Sequence, residues 1–321
     1  MPLVSGLSRP HEPPHLGRRQ FWRAFLPWVA LAAACVGVSP LAAQFYWDTN
    51  GKTAGAGGTS PAGTWNTTNS NKVWNSSAAG TNNATSWTAG SDAVFSTGGD
   101  ATGAYTVTVS GTQSVSSITV GEGSPTLATG TINFSDASPD LLVAAGSTLT
   151  FGSAPTSTTG NLNVGSATFT GTTVFSANTT LAGTLTLGGG TLQLAGSSYT
   201  FGTLNVTGDS TLDFAGATTL NLTSLTISAG VVLTIQNWTQ ASDFFFTSTW
   251  SGAIQDLPNN GNTAPLNQVQ FNGFGADQTG WDSLDNQIRP NVPEPSTYGA
   301  ILMSALVGWF AWRRLVRRPT R

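Results

Sequence analysis

The central segment of this 321-residue chain, residues 44–291, contains no cysteine and no histidine. Cys35, His11 and His15 are the only residues of these two types, and all three precede it. Without them the segment cannot form a disulfide, a Ser-His-Asp or Cys-His catalytic arrangement, or a zinc site built from nitrogen and sulfur ligands. We therefore expect no metal, no cofactor and a fold that is stable without covalent cross-links.

Basic side chains are almost as scarce in the central segment. Of the twelve Lys and Arg residues, only Lys52, Lys72 and Arg289 lie there. The fifteen carboxylates less Glu12 and Glu294 leave thirteen, so the net charge of the segment is −10. A segment with this net negative charge has no basic surface that would attract nucleic acid or an anionic membrane.

The N-terminus has the three parts of a secretory signal peptide. An apolar stretch runs from Phe25 to Val38, and small residues follow it. This order predicts a signal peptide over residues 1–43, with cleavage near Ala43. Two export routes stay open, since the basic part fits both an ordinary signal and a twin-arginine signal. Its arginines are Arg9, Arg18, Arg19 and Arg23.

The last thirty residues carry a second three-part signal. It begins with Val292-Pro-Glu-Pro and continues with an uncharged apolar run from Gly299 to Trp312. Counted from Ser296, this run would form a helix of about 25 Å, at the short end of what crosses a hydrocarbon core. The arginines that follow predict that a membrane anchor ends there, with its C-terminus in the cytoplasm. They are Arg313, Arg314, Arg317, Arg318 and Arg321.

This order of parts resembles the PEP-CTERM sorting signal of Gram-negative bacteria. The resemblance makes Pro293, Glu294 and Pro295 the sorting motif, residues 296–312 a transmembrane helix and residues 313–321 an Arg-rich tail. It implies recognition by an exosortase, a membrane enzyme that removes the helix during export. From the residues alone, the two prolines predict a stiff extended segment, and an ordinary tail anchor stays the alternative.

Alternating apolar and polar residues predict β-strands between residues 161 and 236. Each repeated unit alternates, passes through a glycine turn and alternates again. A period near twenty of short strands and glycine turns is typical of a β-solenoid, whose stacked turns bury apolar ladders that one turn could not bury alone. Equivalent leucines recur at spacings of 23, 19 and 21 residues, at Leu162, Leu185, Leu204 and Leu225.

We therefore predict an all-β fold, a right-handed parallel β-helix over residues 101–240, with an N-terminal signal helix and a C-terminal transmembrane helix. An antiparallel β-sandwich would also fit the turn spacing, but it gives no reason for consecutive units to resemble one another. Beyond the repeats we predict a C-terminal cap over residues 241–277, a linker over 278–291 and the sorting signal over 292–321.

The segment before the repeats, residues 44–100, is rich in tryptophan. Its motifs Y-W-D-T-N-G, A-G-T-W-N and S-D-A-V-F resemble the start of autotransporter-type passenger domains. Two interpretations stay open: large rings that cover the open first turn as a cap, or exposed rings that contact carbohydrate. Buried rings would indicate the cap, and exposed coplanar rings would indicate the sugar platform. The tryptophans concerned are Trp47, Trp65, Trp74 and Trp87.

Carboxylates are the main groups left in the central segment for acid–base chemistry. Their closest pairs are Asp136/Asp140, Asp209/Asp213 and Asp282/Asp285. Strand alternation places Asp213 opposite its apolar neighbours, so we expect it to be exposed, and we interpret such residues as solubilising charges.

The function predicted from these features is that of an exported, non-catalytic protein of the cell surface or extracellular matrix. Its expected partners are an exosortase and exopolysaccharide. We expect it to be bound to a membrane before processing, and we expect no binding to nucleic acid. We expect it to cross the inner membrane, remain anchored there transiently and then reach the cell envelope, the surface or the extracellular biofilm. The alternative is a carbohydrate-binding or carboxylate-dependent polysaccharide-active protein on the same scaffold.

Overall fold

The computed structural model describes residues 42–68, 71–250, 266–275, 278–282, 284–290 and 295–316. The predicted signal peptide, apart from its last two residues, lies outside these ranges. The described residues form strands, one short 3-10 helix, η1 (Leu266–Gln268), and one α-helix, α1 (Pro295–Val316). The strands are β1 (Gln44–Trp47), β2 (Gly63–Trp65), β3 (Trp74–Asn75), β4 (Ser91–Phe95), β5 (Ala104–Val120), β6 (Ser124–Phe134), β7 (Asp140–Val143), β8 (Thr148–Phe151), β9 (Thr156–Ser157), β10 (Leu162–Val164), β11 (Thr172–Phe175), β12 (Thr179–Leu187), β13 (Gly190–Leu194), β14 (Ser198–Val206), β15 (Ser210–Phe214), β16 (Thr219–Ile227), β17 (Leu233–Gln236), β18 (Phe244–Trp250), β19 (Val269–Phe271), β20 (Thr279–Asp282) and β21 (Gln287–Pro290).

The strands stack in three parallel ladders, and successive turns of the chain add strands to each. Ladder 1 contains β2, the starts of β5 and β6, and then β8, β11, β13, β15, β17 and β19. Ladder 2 contains the middle of β5, the end of β6 and β9, and farther along the starts of β12, β14, β16 and β18. Ladder 3 contains β1, β4, the end of β5, β7, β10 and the ends of β12, β14, β16 and β18.

Between Ala104 and Trp250 the described chain completes about seven turns of a parallel β-solenoid. The register confirms the leucine repeat, because Leu185 pairs with Leu162 on one side and with Leu204 on the other. Leu204 in turn pairs with Leu225. The parallel pairing of consecutive turns excludes the antiparallel sandwich.

Alternation divides each strand between the core and the surface. The leucines of the repeat are buried, and so are Val164, Leu187 and Val206 two positions farther along the strands, whereas Ile227 is only partly buried against the core. Each such side chain contributes about 1.5–3 kcal/mol of hydrophobic free energy when it is fully buried. On the outer side of ladder 1, half-buried threonines, which suit strands, pair from turn to turn. They are Thr148, Thr172, Thr191, Thr211 and Thr234.

Glycines make the corners of the solenoid tight in two different ways. Gly165 has φ of +70°, a left-handed conformation that glycine adopts without strain. Gly202 has an ordinary φ, but a Cβ there would lie 2.2 Å from the carbonyl oxygen of Ala182 in the turn before. The sequence predicted glycine at the turns, and the structure gives two reasons for it: a positive φ at some corners and close contact between the backbones of stacked turns at others.

The C-terminal end of the solenoid differs from the prediction. β18 lies in the predicted cap, yet it is a regular strand of the seventh turn and pairs in parallel with β16. The predicted linker contains an antiparallel hairpin, β20–β21, whose second strand pairs Gln287 with Phe246 of β18. The hairpin thus continues ladder 2 in the antiparallel sense. Near the turn of the hairpin, an ion pair between Arg289 and Asp282 joins the two strands, with 2.7 Å from Nη2 to Oδ2.

Candidate functional site

The predicted sorting signal is described from Pro295 to Val316, where it forms α1. Proline is well suited to the first helical position, because the amide hydrogen that it lacks would have no partner there. Pro293 and Glu294 lie outside the described residues, as do Arg317 and Arg318. Of the predicted motif, the structure therefore describes only Pro295. Of the arginines predicted to stop the anchor, it describes Arg313 and Arg314, and all three residues belong to α1.

The apolar side chains of α1 face solvent in the described chain. Leu302, Met303, Val307 and Phe310 each expose between 59% and 63% of their surface. An exposed apolar surface of this kind needs a lipid or protein environment to cover it. At the basic end, the guanidinium of Arg313 lies 4.4 Å from the ring centroid of Trp309, which gives a cation–π contact one helical turn apart.

In the part of the chain that the structure describes, no helix is both long enough and apolar enough to cross a membrane. The structure therefore bears out the predicted C-terminal helix and not its predicted membrane span.

The four N-terminal tryptophans form one buried cluster. Trp47, Trp65 and Trp74 are fully buried, and Trp87 exposes 4% of its surface. Their rings pack edge to face or tilted, with centroids 4.6 Å apart for Trp74 and Trp87 and 4.8 Å apart for Trp65 and Trp74. No ring of this cluster can stack on a sugar without unfolding its surroundings. Of the two interpretations left open by the sequence, the burial of Trp47, Trp65, Trp74 and Trp87 favours packing within the N-terminal cap over contact with carbohydrate.

A buried carboxylate explains the motif that contains the first of these tryptophans. Asp48 is fully buried, and its Oδ1 accepts hydrogen bonds from the backbone amides of Asn50 and Gly51, at 2.9 and 3.0 Å. Its Oδ2 accepts a third from Nδ2 of Asn75, at 2.7 Å. The Asn75 amide also donates to the carbonyl oxygen of Asn82. The W-D-T-N-G motif is thus a turn held by its aspartate.

Asp100 ties a second loop of the cap in place. Its two carboxylate oxygens accept hydrogen bonds from the backbone amides of Ala56 and Gly58, at 2.7 and 2.8 Å. Desolvation by burial acts to raise the pKa of Asp100, but these backbone hydrogen bonds outweigh it and leave the pKa below its ordinary value. Neither aspartate of the cap was singled out by sequence, although the fixed spacing of D-x-N-G is a signal for the first.

Most of the carboxylates that the sequence groups in pairs form hydrogen bonds or ion pairs with other residues and not with each other. Asp136 accepts a hydrogen bond from Ser116, and Asp140 accepts one from Asn163. Asp209 accepts one from the amide of Val232. Asp282 forms the ion pair of the hairpin.

Asp213 points outward as predicted, but it is buried rather than exposed. It retains only 7% of its accessible surface. Its carboxylate accepts hydrogen bonds from Nε2 of Gln193, at 2.8 Å, and from Nδ2 of Asn237, at 2.6 Å. The expected exposure was wrong because long amide side chains on the neighbouring turns cover it. Alternation gives the direction of a side chain but not what lies above it.

A cleft lies at the corner between ladders 1 and 2 in the last two turns. After β15 a corner of four residues, 215–218, leads into β16, whereas the corner after β17 is a longer loop over residues 237–243. This loop and the corner below it enclose an open cleft of about 410 Å³. It is lined by Phe214, Ala215, Gly216, Ala217, Asn237, Thr239 and Ser242. Sequence reasoning missed it, since only the extra loop length signals it.

Hydrogen bonds and ring contacts fix the loop over the cleft. Asp243 is buried and accepts from the backbone amides of Thr218, at 3.0 Å, and Thr239, at 2.6 Å. Trp238 packs edge to face on Phe214 and Phe271, with centroids 5.2 and 4.9 Å apart. The cleft is therefore a formed feature of the fold.

Two aromatic side chains, Phe244 and Phe246, lie on β18 next to the cleft. Phe245 is fully buried, whereas Phe244 and Phe246 are half-buried on the outer side of ladder 2. Their rings are parallel to within 2°, with centroids 5.9 Å apart. The residues at the same register in the preceding turn are Thr219 and Asn221. The seventh turn thus replaces a polar outer surface with an aromatic one.

Comparison with known proteins gives one match, in the C-terminal segment. Residues 291–318 are similar to the PEP-CTERM protein-sorting motif. This motif implies processing by an exosortase, export and a cell-surface location. No characterised protein and no solved structure is detectably similar to the chain. The likeness of the cap to autotransporter passenger domains therefore stays a resemblance of short motifs.

Proposed function

We propose that the chain is an exported, non-catalytic β-solenoid protein that an exosortase processes at the membrane and that then serves the cell surface or the exopolysaccharide matrix. In this proposal residues 1–43 form a cleaved signal helix and α1 is a transient membrane anchor. The solenoid is expected to wind right-handed, as nearly all parallel crossovers do. The observation that carries the proposal is the sorting motif at residues 291–318.

The solenoid and α1 have properties that suit these separate roles. α1 presents an exposed apolar surface next to arginines, which favours a site at the membrane interface before processing. The solenoid buries a continuous apolar core without disulfides, so it would persist outside the cell whatever the redox conditions. Its net negative charge and polar outer rows favour a soluble particle over a membrane-bound one.

The first prediction tests the sorting step through the mass of the exported protein. Loss of α1 with its arginines makes the mature mass lower than signal-peptide removal alone would give, after any glycans are removed. Glu294→Ala should leave the protein anchored and unprocessed, because this substitution removes the only charge between Asn291 and Tyr298. Intact-mass spectrometry and membrane fractionation provide the measurement.

Asp285→Ala is the matched control, since Asp285 is an exposed carboxylate of the preceding hairpin. It should be processed like the unmodified chain. Recovery of a peptide spanning Tyr298 to Arg314 from the surface form would contradict removal of the helix. Normal processing of Glu294→Ala would contradict the role of the carboxylate.

A further inference from the structure

The cleft and the aromatic pair form one continuous surface on the last two turns. The lining of the cleft ends at Ala217 and Ser242, and each is followed two residues later by the first residue of β16 or β18. Those two residues, Thr219 and Phe244, pair with each other on the outer side of ladder 2. A chain-like ligand seated in the cleft would therefore pass next over Phe244 and Phe246.

The lining of the cleft suits a ligand with many hydroxyl groups. Asn237, Thr239 and Ser242 bring an amide and two hydroxyls, groups that both donate and accept hydrogen bonds. One hydrogen of the Asn237 amide already bonds to Asp213 and the Ser242 hydroxyl already donates to the carbonyl oxygen of Thr239, so their oxygens are left as acceptors for a ligand. Phe214 and the alanines below them supply apolar contact. The volume of the cleft falls within the range of about 300–1,000 Å³ that is usual for small-molecule sites. This combination fits a sugar unit, whose ring has hydroxyl edges and apolar C–H faces.

Charge excludes anionic ligands from this surface. The lining residues include no Lys, Arg or His, so a phosphate or a uronate would find no cation among them. The buried carboxylates of Asp213 and Asp243 accept hydrogen bonds from two residues of the lining, Asn237 and Thr239. An anion would meet their negative potential together with that of the whole central segment. A neutral ligand meets no such repulsion, and the hydroxyl and amide lining supplies the hydrogen bonds that it needs.

From these observations we infer that the cleft and the Phe244–Phe246 pair bind a neutral polysaccharide chain. One sugar unit lies in the cleft, hydrogen-bonded to the side chains of Asn237, Thr239 and Ser242. The next units pack against the outward side of the stacked Phe244–Phe246 pair, which covers apolar C–H surface of the sugars. This site does not depend on the export route, since it belongs to the folded solenoid itself.

Binding can be measured on the full chain purified in detergent, by calorimetry with soluble neutral glucan, mannan and xylan oligosaccharides. Polygalacturonate serves as the anionic probe. Gly216→Gln should block the cleft without strain, because Gly216 has an ordinary φ and a Cβ there would meet no atom within 4 Å. Gly99→Gln is the matched control, an equally open glycine in the N-terminal cap.

The rings are tested with the double variant Phe244→Thr and Phe246→Asn, which takes the side chains found at the same register one turn earlier. We expect at least one neutral glycan to bind, and both the cleft variant and the double variant to weaken it about tenfold or more. Gly99→Gln should bind normally. Absence of binding to every neutral glycan, equal binding of polygalacturonate, or unchanged affinity in either variant would overturn the inference. Failure of export in cells would leave these results unchanged.

Discussion

Asp48 shows how one buried carboxylate can organise an entire loop. It lies between a fully buried tryptophan and a turn, and its oxygens pair with three donors from two separate segments. The carboxylate is expensive to desolvate, and these hydrogen bonds compensate for that cost. The aspartate is therefore structural, although a buried acid in an exported protein could be mistaken for a catalytic one.

Replacing Asp48 with Ala should destabilise the solenoid's N-terminal cap by about 2–3 kcal/mol, because it leaves buried donors without acceptors. Urea unfolding followed by fluorescence of the buried tryptophan cluster would measure the loss. Asp136→Ala is the control, since that carboxylate is exposed and should change stability by no more than about 0.5 kcal/mol. Equal effects of the two substitutions would show that the Asp48 hydrogen bonds do not hold the cap.

At the scale of the strands, the sequence predicts pairing well where the repeat is regular. The leucine spacing gave the register of ladder 3, because stacked turns must bring equivalent apolar residues together. The same reasoning failed at the C-terminal end. There the apolar residues of β18 alternate as in any strand, but three consecutive phenylalanines conceal the alternation. The hairpin was missed because the few residues of β20 and β21 give too short a pattern.

The register predicts a large loss of stability for a charge on the core side of ladder 3 and almost none for a charge on the outer side of ladder 1. Leu204→Asp would place an unpaired charge in the core between Leu185 and Leu225, and should cost about 4 kcal/mol or more. Thr211→Lys changes a half-buried outer position in a row of threonines, so its effect should stay within about 0.5 kcal/mol.

Thermal unfolding by circular dichroism would compare the two variants. Because each turn contacts mainly its neighbours, the loss at Leu204 should spread to adjacent turns together. Similar tolerance at Leu204 and Thr211 would contradict the observed register.

At the scale of the whole molecule, composition and the repeat predicted more of the fold and of the possible chemistry than any single motif did. The lack of cysteine and histidine limited the chemistry, and the repeat predicted the solenoid. The candidate sugar site escaped notice because it depends on how two turns of unequal corner length stack, a relation between residues about 20 positions apart. The tryptophans attracted attention instead, since their size fits a sugar platform as well as a core.

The last prediction concerns catalysis by the whole chain. General acid–base catalysis needs a group whose pKa lies near the working pH, and the central segment has no histidine or cysteine to provide one. Tyr105 and Tyr199 cannot serve, because burial raises the pKa of each hydroxyl even further from neutrality. The carboxylate of Asp213 accepts hydrogen bonds from two amide side chains, those of Gln193 and Asn237. The purified chain, incubated with neutral and acidic polysaccharides, should therefore release no reducing ends above background. Release that disappears in Asp213→Asn or Asp209→Asn, while Asp136→Asn retains it, would replace the structural role with an enzymatic one.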